Sequence, residues 1–464
     1  MRNLSSLIKA YDIRGTVPGQ WGPDLAREAG VAFVEVLGIR TADGGAGRIV
    51  VGHDMRPTGP DLVAAFIEGV TSAGVDVLNI GLCSTDGLYF ASGKLNIPGA
   101  MFTASHNPAE YNGIKLCRAG AAPVGQDTGL AQIREMLESK NLPTYEGPSG
   151  SSTNEDMLTA YAQYLRELVP LENIRKLSVV IDTGNGMGGY TVPAVLGDRV
   201  LSALPLDIDE LFFELDGTFP NHEANPIDPE NLRDLQTRVI EVGADLGLAF
   251  DGDADRCFVV DERGEIVDPS TLTSLIAVRE LAKSPGANII HNLITSKAVP
   301  EIVNENGGHP VRTRVGHSFI KATMAETNAV FGGEHSGHFY FRDFWKADSG
   351  MLAAMHTLAA LGETSDGTAL SDLLAPYARY VASGEINTTV SDATAVTEFV
   401  RTAFETKDVT FDTLDGLTVS GPNWWFNLRA SNTEPLLRLN VEGDTEEIMI
   451  AIRDEVLSLS LIHI

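Results

Sequence analysis

Short apolar runs separated by Gly- and Pro-marked turns recur along the first three quarters of the chain, and their spacing predicts alternating strands and helices. In the N-terminal third the pattern predicts strands over 48–52, 75–80 and 98–103, with helices over 61–73 and 84–94 between them. A Gly/Pro/Ser-rich stretch at 146–152 reads as a linker. The rhythm then resumes with a strand over 176–181, helices over 188–196 and 228–242, and a strand over 245–250. A third round places strands at 288–291 and 310–314, helices at 297–306 and 318–326, and a short strand at 329–332. Each round ends in a strand that runs into a polar, Gly- or Pro-marked loop, where open α/β sheets present ligand-binding groups. From about residue 367 the alternation stops: strands at 386–390, 424–430 and 436–441 precede a closing helix from Thr445. The pattern therefore predicts an α/β chain of three similar mixed α/β domains over 1–150, 151–257 and 258–366, plus a smaller α+β C-terminal domain over 367–464.

Composition alters this picture little. At 464 residues the chain exceeds what one hydrophobic core serves, and 43% hydrophobic with 21% charged residues is ordinary for a globular protein. No apolar stretch approaches the roughly 18 residues of a membrane-spanning helix. The start carries Lys9, Asp12 and Arg14 in place of the apolar core of a secretory signal. Cys83, Cys117 and Cys257 are far apart and form no Cys-x-x-Cys pair, which argues against a disulfide framework or zinc site and fits a reducing cytoplasm. Charge matters more. A formal net charge of −29 repels nucleic acid and anionic membrane, so neither is expected as a partner, and an anionic ligand is expected to bind only where the scarce Lys and Arg residues converge.

Four loops carry candidate chemistry. In Thr103-Ala-Ser-His-Asn-Pro108 the hydroxyl of Ser105, with His106 beside it, suits a nucleophile or phosphoryl carrier; the same residues also make an ordinary turn. In Asp251-Gly-Asp-Ala-Asp-Arg256 three alternate carboxylates follow an apolar strand, which argues that the loop sits at a sheet edge, inside a cleft. Like charges held that close raise each other's pKa, a conflict that a hard divalent cation removes; an acidic surface turn is the plainer alternative. An EF-hand also has acids at positions one, three and five, and Glu262 falls at position twelve. Arg256, however, stands where that loop demands glycine, and a strand-like run at 257–260 follows. A haloacid-dehalogenase-type phosphatase, with a strand, then Asp-x-Asp and the first Asp as nucleophile, stays open as a second enzymatic reading. Gly333-Glu-His-Ser-Gly-His338 offers Glu334 and Ser336 to vicinal sugar hydroxyls, or is a tight turn between two strands. Arg429-Ala-Ser-Asn-Thr-Glu-Pro435 offers a guanidinium fork with Ser431, Asn432 and Thr433 to a phosphate, or is a polar hairpin connection. Lys297 and His317, taken singly, read as surface or capping residues.

Together these four loops, with Lys9-Ala-Tyr-Asp-Ile-Arg-Gly15, resemble the α-D-phosphohexomutase superfamily in order and across nearly the whole chain. The closest likeness is to its bacterial phosphomannomutase/phosphoglucomutase branch. The resemblance implies four domains around a central cleft, one loop per domain. It implies that Ser105 is a phosphoserine and that Asp251, Asp253 and Asp255 hold Mg²⁺ together with one oxygen of that phosphate. Glu334 and Ser336 would grip the sugar, and Arg429, Ser431, Asn432 and Thr433 would anchor its non-reacting phosphate. Tyr11, Arg14, Lys115, Arg256, Lys297, His317 and His338 would line the cleft. Ser105, His106, Arg14 and Arg256 would take part in the chemistry, with His338 or Lys115 as general acid or base.

The implied reaction interconverts hexose 1-phosphate and hexose 6-phosphate through a 1,6-bisphosphosugar, with glucose or mannose 1,6-bisphosphate as activator. The C-terminal domain would close over the site to exclude water. A grip on O3 and O4 leaves C2 unread, so mannose and glucose are both expected substrates. Phosphoglucosamine mutases, the neighbouring alternative, have Gly where Asn432 stands and a Thr-Asp-Gly-Ile-Arg-Gly-like start in place of Ala10-Tyr-Asp-Ile-Arg-Gly15. A non-catalytic Ca²⁺- or sugar-binding protein would leave the Ser105 and Arg429 loops unexplained. Residues 459–464 read like translated adapter sequence and are expected to play no part in the site.

Overall fold

A computed structural model of the chain describes residues 2–9, 11–40, 47–430 and 436–461. The chain divides into two compact units, Met1–Val267 with Ser336–Leu373, and Asp268–His335 with Leu374–Ile464.

In the first unit, Arg48–His53, Asp76–Leu82 and Gly99–Phe102 run parallel. They are joined through the helices Gly59–Ser72 and Thr85–Leu95, as parallel neighbours require. Being covered on both faces, they are apolar along most of their length. Tyr111–Arg118 returns antiparallel to Gly99–Phe102, with Met101 opposite Lys115 and Phe102 opposite Ile114, so the Ser105 loop is a hairpin connection at the sheet's end. Ile13–Thr16 adds to the far side of that strand and sets Arg14 opposite Gly113.

A second sheet has the order Ile266–Val267, Cys257–Asp261, Leu246–Phe250, Leu177–Asp182, Leu206–Leu211. Leu246–Phe250 is buried throughout and parallel to Leu177–Asp182. It pairs antiparallel with Cys257–Asp261 in a register that sets Phe250 opposite Cys257. The Asp251 loop therefore leaves the end of the middle strand, where a run apolar on both faces has a neighbour on each side. The strand after Arg256 also removes the EF-hand, which needs a helix there. In the same unit Phe339–Phe341 pairs antiparallel with Ala347–Asp348 ahead of the fully buried helix Gly350–Gly362.

In the second unit, Asn288–Asn292 pairs in parallel with His309–Thr313 and with Phe331–Gly333. The C-terminal sheet is wholly antiparallel, ordered Val381–Thr389, Leu436–Gly443, Trp424–Ala430, Leu417–Ser420, Thr410–Asp412. The helices Ala393–Phe404 and Glu446–Leu461 pack on its apolar face through Val396, Val400, Phe404, Met449, Ile452 and Val456. The chain is thus mixed α/β with a smaller α+β end, as the pattern predicts.

Several elements differ from the reading by pattern. The linker at 146–152 runs into a strand, Ser152–Asn154, which joins the first sheet beside Asp76–Leu82. The span 228–242 opens with a 3₁₀ turn, Pro229–Leu232, capped by the Asp228 side chain, and becomes α-helical at Arg233–Val242. Pro269–Lys283 and Gly350–Gly362 give no amphipathic pattern because they are buried over most of their circumference. All three cysteines are buried thiols outside any disulfide, and burial pushes the Cys83 and Cys257 thiols well up from their ordinary range. Among the described residues no helix is long and apolar enough to cross a membrane.

Candidate active site

Ser105 sits in the hairpin connection with a left-handed backbone, φ 52°, which is disfavoured for a residue with a Cβ. It is 5% exposed. Its hydroxyl donates to Asp251 Oδ2 at 2.9 Å, accepts from Arg256 Nη2 at 3.3 Å and lies 3.3 Å from His106 Nδ1. Arg56, 1% exposed, holds the loop from behind. Its Nη2 donates to the carbonyls of Ser105 at 2.9 Å and Asn107 at 2.6 Å, and its Nη1 to those of Pro108 at 2.7 Å and Tyr111 at 2.8 Å.

The Asp251 loop packs directly on this serine. A Cβ on Gly252 would come within 2.4 Å of the Ser105 carbonyl oxygen, so only glycine allows the approach. Asp251, Asp253 and Asp255 are at most 1% exposed, and each offers an oxygen within 4.8 Å of the others. Two cations answer them. Arg256 Nε and Nη2 donate to Asp251 Oδ2 at 2.9 and 2.8 Å, and Lys115 Nζ bridges Asp253 Oδ2 at 2.7 Å and Asp255 Oδ2 at 2.6 Å. Thr85 Oγ1 donates to Asp253 Oδ2 at 2.5 Å.

Burial pushes the Asp251 carboxyl up to about 7 against the pull of Arg256. Burial opposes ionisation of Asp253 as well, but the Lys115 ammonium and the Thr85 hydroxyl outweigh it and hold that carboxyl below its usual range. The same two carboxylates overcome burial at Lys115 and keep it protonated well above its ordinary value. Burial, with Arg256 and Arg14 nearby, holds His106 well below the imidazole range. His106 is therefore neutral near pH 7, which lets its Nδ1 accept from Arg256 Nη2 at 2.6 Å.

These residues fit a hard cation. Asp253 Oδ1 and Asp255 Oδ1 are buried without a hydrogen-bond partner, an expensive arrangement unless another ligand takes them up. An all-oxygen carboxylate set of this kind suits Mg²⁺.

His338 joins the same group: its Nε2 lies 3.7 Å from Asp255 Oδ1 and its Nδ1 3.0 Å from Ser336 Oγ. Arg14 reaches the Ser105 loop through Asn107 Oδ1 at 2.7 Å while paired with Asp12 at 2.5 Å, and Tyr11 is half-buried just before it. The structure therefore gathers Ser105, His106, Lys115, Arg256, His338 and the three aspartates at one place, with Arg14 at its border.

The remaining predicted residues belong to the second unit. Glu334, 2% exposed, accepts from Asn292 Nδ2 and from the Gly316 amide, both at 3.2 Å on Oε1. Lys297 precedes the helix Ala298–Glu305; its Nζ pairs with Asp444 at 2.8 Å and stands 3.9 Å over the Tyr380 ring. Arg429 donates to Glu385 at 2.7 Å, a carboxylate shared with Arg438 at 3.1 Å. His317 opens the helix His317–Thr327, but its side chain lies outside the described residues, as do Ser431, Asn432 and Thr433.

Models of four phosphoglucomutase/phosphomannomutase domains match the chain in order. They are α/β/α domain I over 5–143, domain II over 159–264, domain III over 268–380 and the C-terminal domain over 385–459. The chain belongs to the phosphoglucomutase/phosphomannomutase family. It is 40% identical over 453 residues to a Xanthomonas campestris pv. campestris protein named phosphohexose mutases, covering 97% of this chain and 98% of that one. It is 39% identical over 465 residues to the phosphomannomutase of Salmonella montevideo, covering 99% of each. Among solved structures, a phosphoglucomutase/phosphomannomutase family protein from Burkholderia thailandensis superposes with a TM-score of 0.86 at 32% identity, over 99% of this chain and 97% of that one.

In this member of the phosphoglucomutase/phosphomannomutase family, reading the sequence missed Arg56 and Thr85. Arg56 stands two residues after Asp54 in a turn just past the strand Arg48–His53, and Thr85 is the first residue of a helix. The available signal was an Asp-x-Arg directly after a buried strand, which in sequence alone looks like any solvated turn.

Proposed function

We propose that the chain is a hexose-phosphate mutase that interconverts hexose 1-phosphate and hexose 6-phosphate through a phosphoserine at Ser105. The observation that carries this reading is the setting of the Ser105 hydroxyl, within 3.3 Å of Asp251, His106 and Arg256 and packed on a buried acidic loop with two orphaned carboxylate oxygens. The sugar hydroxyl attacks the phosphorus of phosphoserine, its proton passing to His338, while Lys115, already protonated on Asp253 and Asp255, can only give a proton. The P–Oγ bond breaks and its electron pair stays on Ser105. The resulting 1,6-bisphosphosugar turns end for end, and the second phosphoryl group returns to Ser105 by the same steps reversed.

Arg256 places a fixed positive charge beside the transferring group, where charge develops. Asp251, Asp253 and Asp255 would hold Mg²⁺, which when bound neutralises phosphoryl charge. Glu334 and Ser336 would take the sugar hydroxyls. Arg429, Ser431, Asn432 and Thr433 would take the distal phosphate, Tyr11, Lys297 and His317 would bind substrate, and Arg14 would act beside the Ser105 loop. The four domains at 1–150, 151–257, 258–366 and 367–464 would then each contribute one loop to a cytoplasmic enzyme acting on mannose and glucose phosphates. Glucose or mannose 1,6-bisphosphate would recharge the serine.

Intact-mass measurement before and after glucose 1,6-bisphosphate is expected to show one phosphoryl group, mapped to Ser105. No phosphate under any condition would sink the proposal, and a stable adduct on Asp251 with an active Ser105→Ala variant would favour a phosphatase. Turnover of mannose 1-phosphate, glucose 1-phosphate and glucosamine 1-phosphate, compared side by side, sets the sugar range.

A further inference from the structure

Buried hydrogen bonds hold Ser105 at both its amide and its carbonyl. The Ser105 amide donates to Thr103 Oγ1 at 2.8 Å, and the Thr103 hydroxyl favours the charged form of the buried Asp54 carboxylate. Asp54 accepts from the Arg56 amide at 3.0 Å and from Arg56 Nε at 3.2 Å. Arg56 Nη2 donates to the Ser105 carbonyl at 2.9 Å. Every member is sealed from water: Asp54 is 0% exposed, and Thr103 and Arg56 are each 1% exposed.

These bonds account for a conformation that local preference opposes. A residue with a Cβ leaves the left-handed region unless its surroundings fix it there. Here both the donor and the acceptor that flank Ser105 are committed to buried partners, so relaxing φ would orphan two peptide groups in a dry site. Relaxation would also swing the Cβ–Oγ bond away from Asp251 Oδ2 and Arg256 Nη2, the groups 2.9 and 3.3 Å from the hydroxyl.

We propose that Thr103, Asp54 and Arg56 form a positioning set that fixes Ser105, so that its phosphoryl group is aimed at bound sugar and not released to water. The proposal rests on Ser105 being the phosphoryl carrier. The side reaction it suppresses is hydrolysis. Water oxygen attacks phosphorus, the P–Oγ bond breaks with its electron pair on Oγ, one water proton ends on Ser105 and the other leaves on inorganic phosphate. None of the three residues touches the reacting atoms through its side chain; they act through the backbone of Ser105.

The test uses Thr103→Val, which removes the hydroxyl at nearly constant volume, with Thr103→Ser as rescue. Each protein is charged with glucose 1,6-bisphosphate and freed of sugar, and phosphoserine loss is followed by intact mass. Thr103→Val is expected to take up phosphate and lose it to water about tenfold faster than wild type, with kcat lowered about 10- to 100-fold and KM within about twofold. Amide exchange at Ser105 should quicken in the same variant, and Thr103→Ser should restore all of these readouts. Wild-type lifetime and kcat in a phosphorylated Thr103→Val protein would overturn the positioning set alone. So would a KM that rises in step with the loss of kcat. A wild-type protein that never carries phosphate would overturn both the positioning set and the carrier reading. If Thr103→Val fails to fold, Arg56→Lys, which keeps the charge and loses the fork, is judged on the same readouts.

Discussion

Around Ser105, Asp251, Asp253, Asp255 and Arg256 are at most 2% exposed; Asp251 meets Arg256, and Asp253 and Asp255 meet Lys115, at hydrogen-bond distance. The cations read as ligand-binding in the second unit are paired differently. Arg429 meets a Glu385 that is 26% exposed, and Lys297 meets an Asp444 that is 45% exposed. The first arrangement is preorganised. Its charges are fixed in a dry surrounding where they act strongly on a transferring phosphoryl group and are expensive to unpair. The second is exchangeable. Partly exposed pairs hold less energy than buried ones, so an incoming phosphate or sugar can replace the carboxylate at smaller loss. On the proposed function, chemistry and recognition in this chain would be built to different tolerances.

The largest expected effect separates the two regions at once. Ser105→Ala should lower kcat on the order of 10⁴-fold or more while leaving the urea midpoint unchanged, whereas Lys297→Met should act mainly on KM. Appreciable turnover by Ser105→Ala in a coupled hexose 6-phosphate assay would end the comparison.

Next come the arginines. Arg256→Met leaves Asp251 buried without its cation and should cost about 3–5 kcal/mol in urea unfolding. Arg429→Met should cost about 1 kcal/mol or less, and show itself as a raised KM. Equal stability losses would mean that burial does not distinguish the pairs.

Asp86 sharpens the same point by pH. It is buried next to Thr85, and burial pushes its carboxyl up to about 6 although Tyr161 and Ser349 each donate to it at 2.7 Å. The folded chain therefore keeps the proton longer than the unfolded chain does. Its contribution to stability is highest below about pH 4, declines as pH rises to about 6 and is flat above, by at most about 3 kcal/mol. Unfolding of wild type against Asp86→Asn across that range should show a difference that shrinks with rising pH; a constant difference would contradict the assignment.

The smallest expected effect is the response to metal. Saturating Mg²⁺ should stabilise wild type by about 2–3 kcal/mol at 100 times its dissociation constant. Asp253→Asn should abolish that gain in a thermal melt, and Lys297→Met should leave it intact.

Much of this was legible in the sequence, for a physical reason. Buried parallel strands must be continuous apolar runs, so Arg48–His53, Leu246–Phe250 and Asn288–Asn292 announce themselves, and so do the polar loops that end the three α/β rounds. The Asp251 loop was readable because three alternate carboxylates after such a strand are costly without a cation. What stayed hidden was whatever depends on long-range closure. Arg56 reaches loop carbonyls about fifty positions away, and Thr85 meets Asp253 across 168 positions. Gly350–Gly362, buried on every side, carries no helical stripe to read. Pattern reports which face of an element is wet, and it is silent on which distant partner a polar side chain will find.

The three buried thiols have a practical use. Because Cys83, Cys117 and Cys257 are closed off, and burial disfavours the thiolate at Cys83 and Cys257, thiol-directed dyes should pass over the native chain. A cysteine introduced at exposed Lys140 and another at exposed Asp408 would then be the only labels, with no native cysteine to remove first. One position falls in each compact unit, so a fluorophore pair there would report the distance between the units, and any change in it when a sugar phosphate is added, in real time.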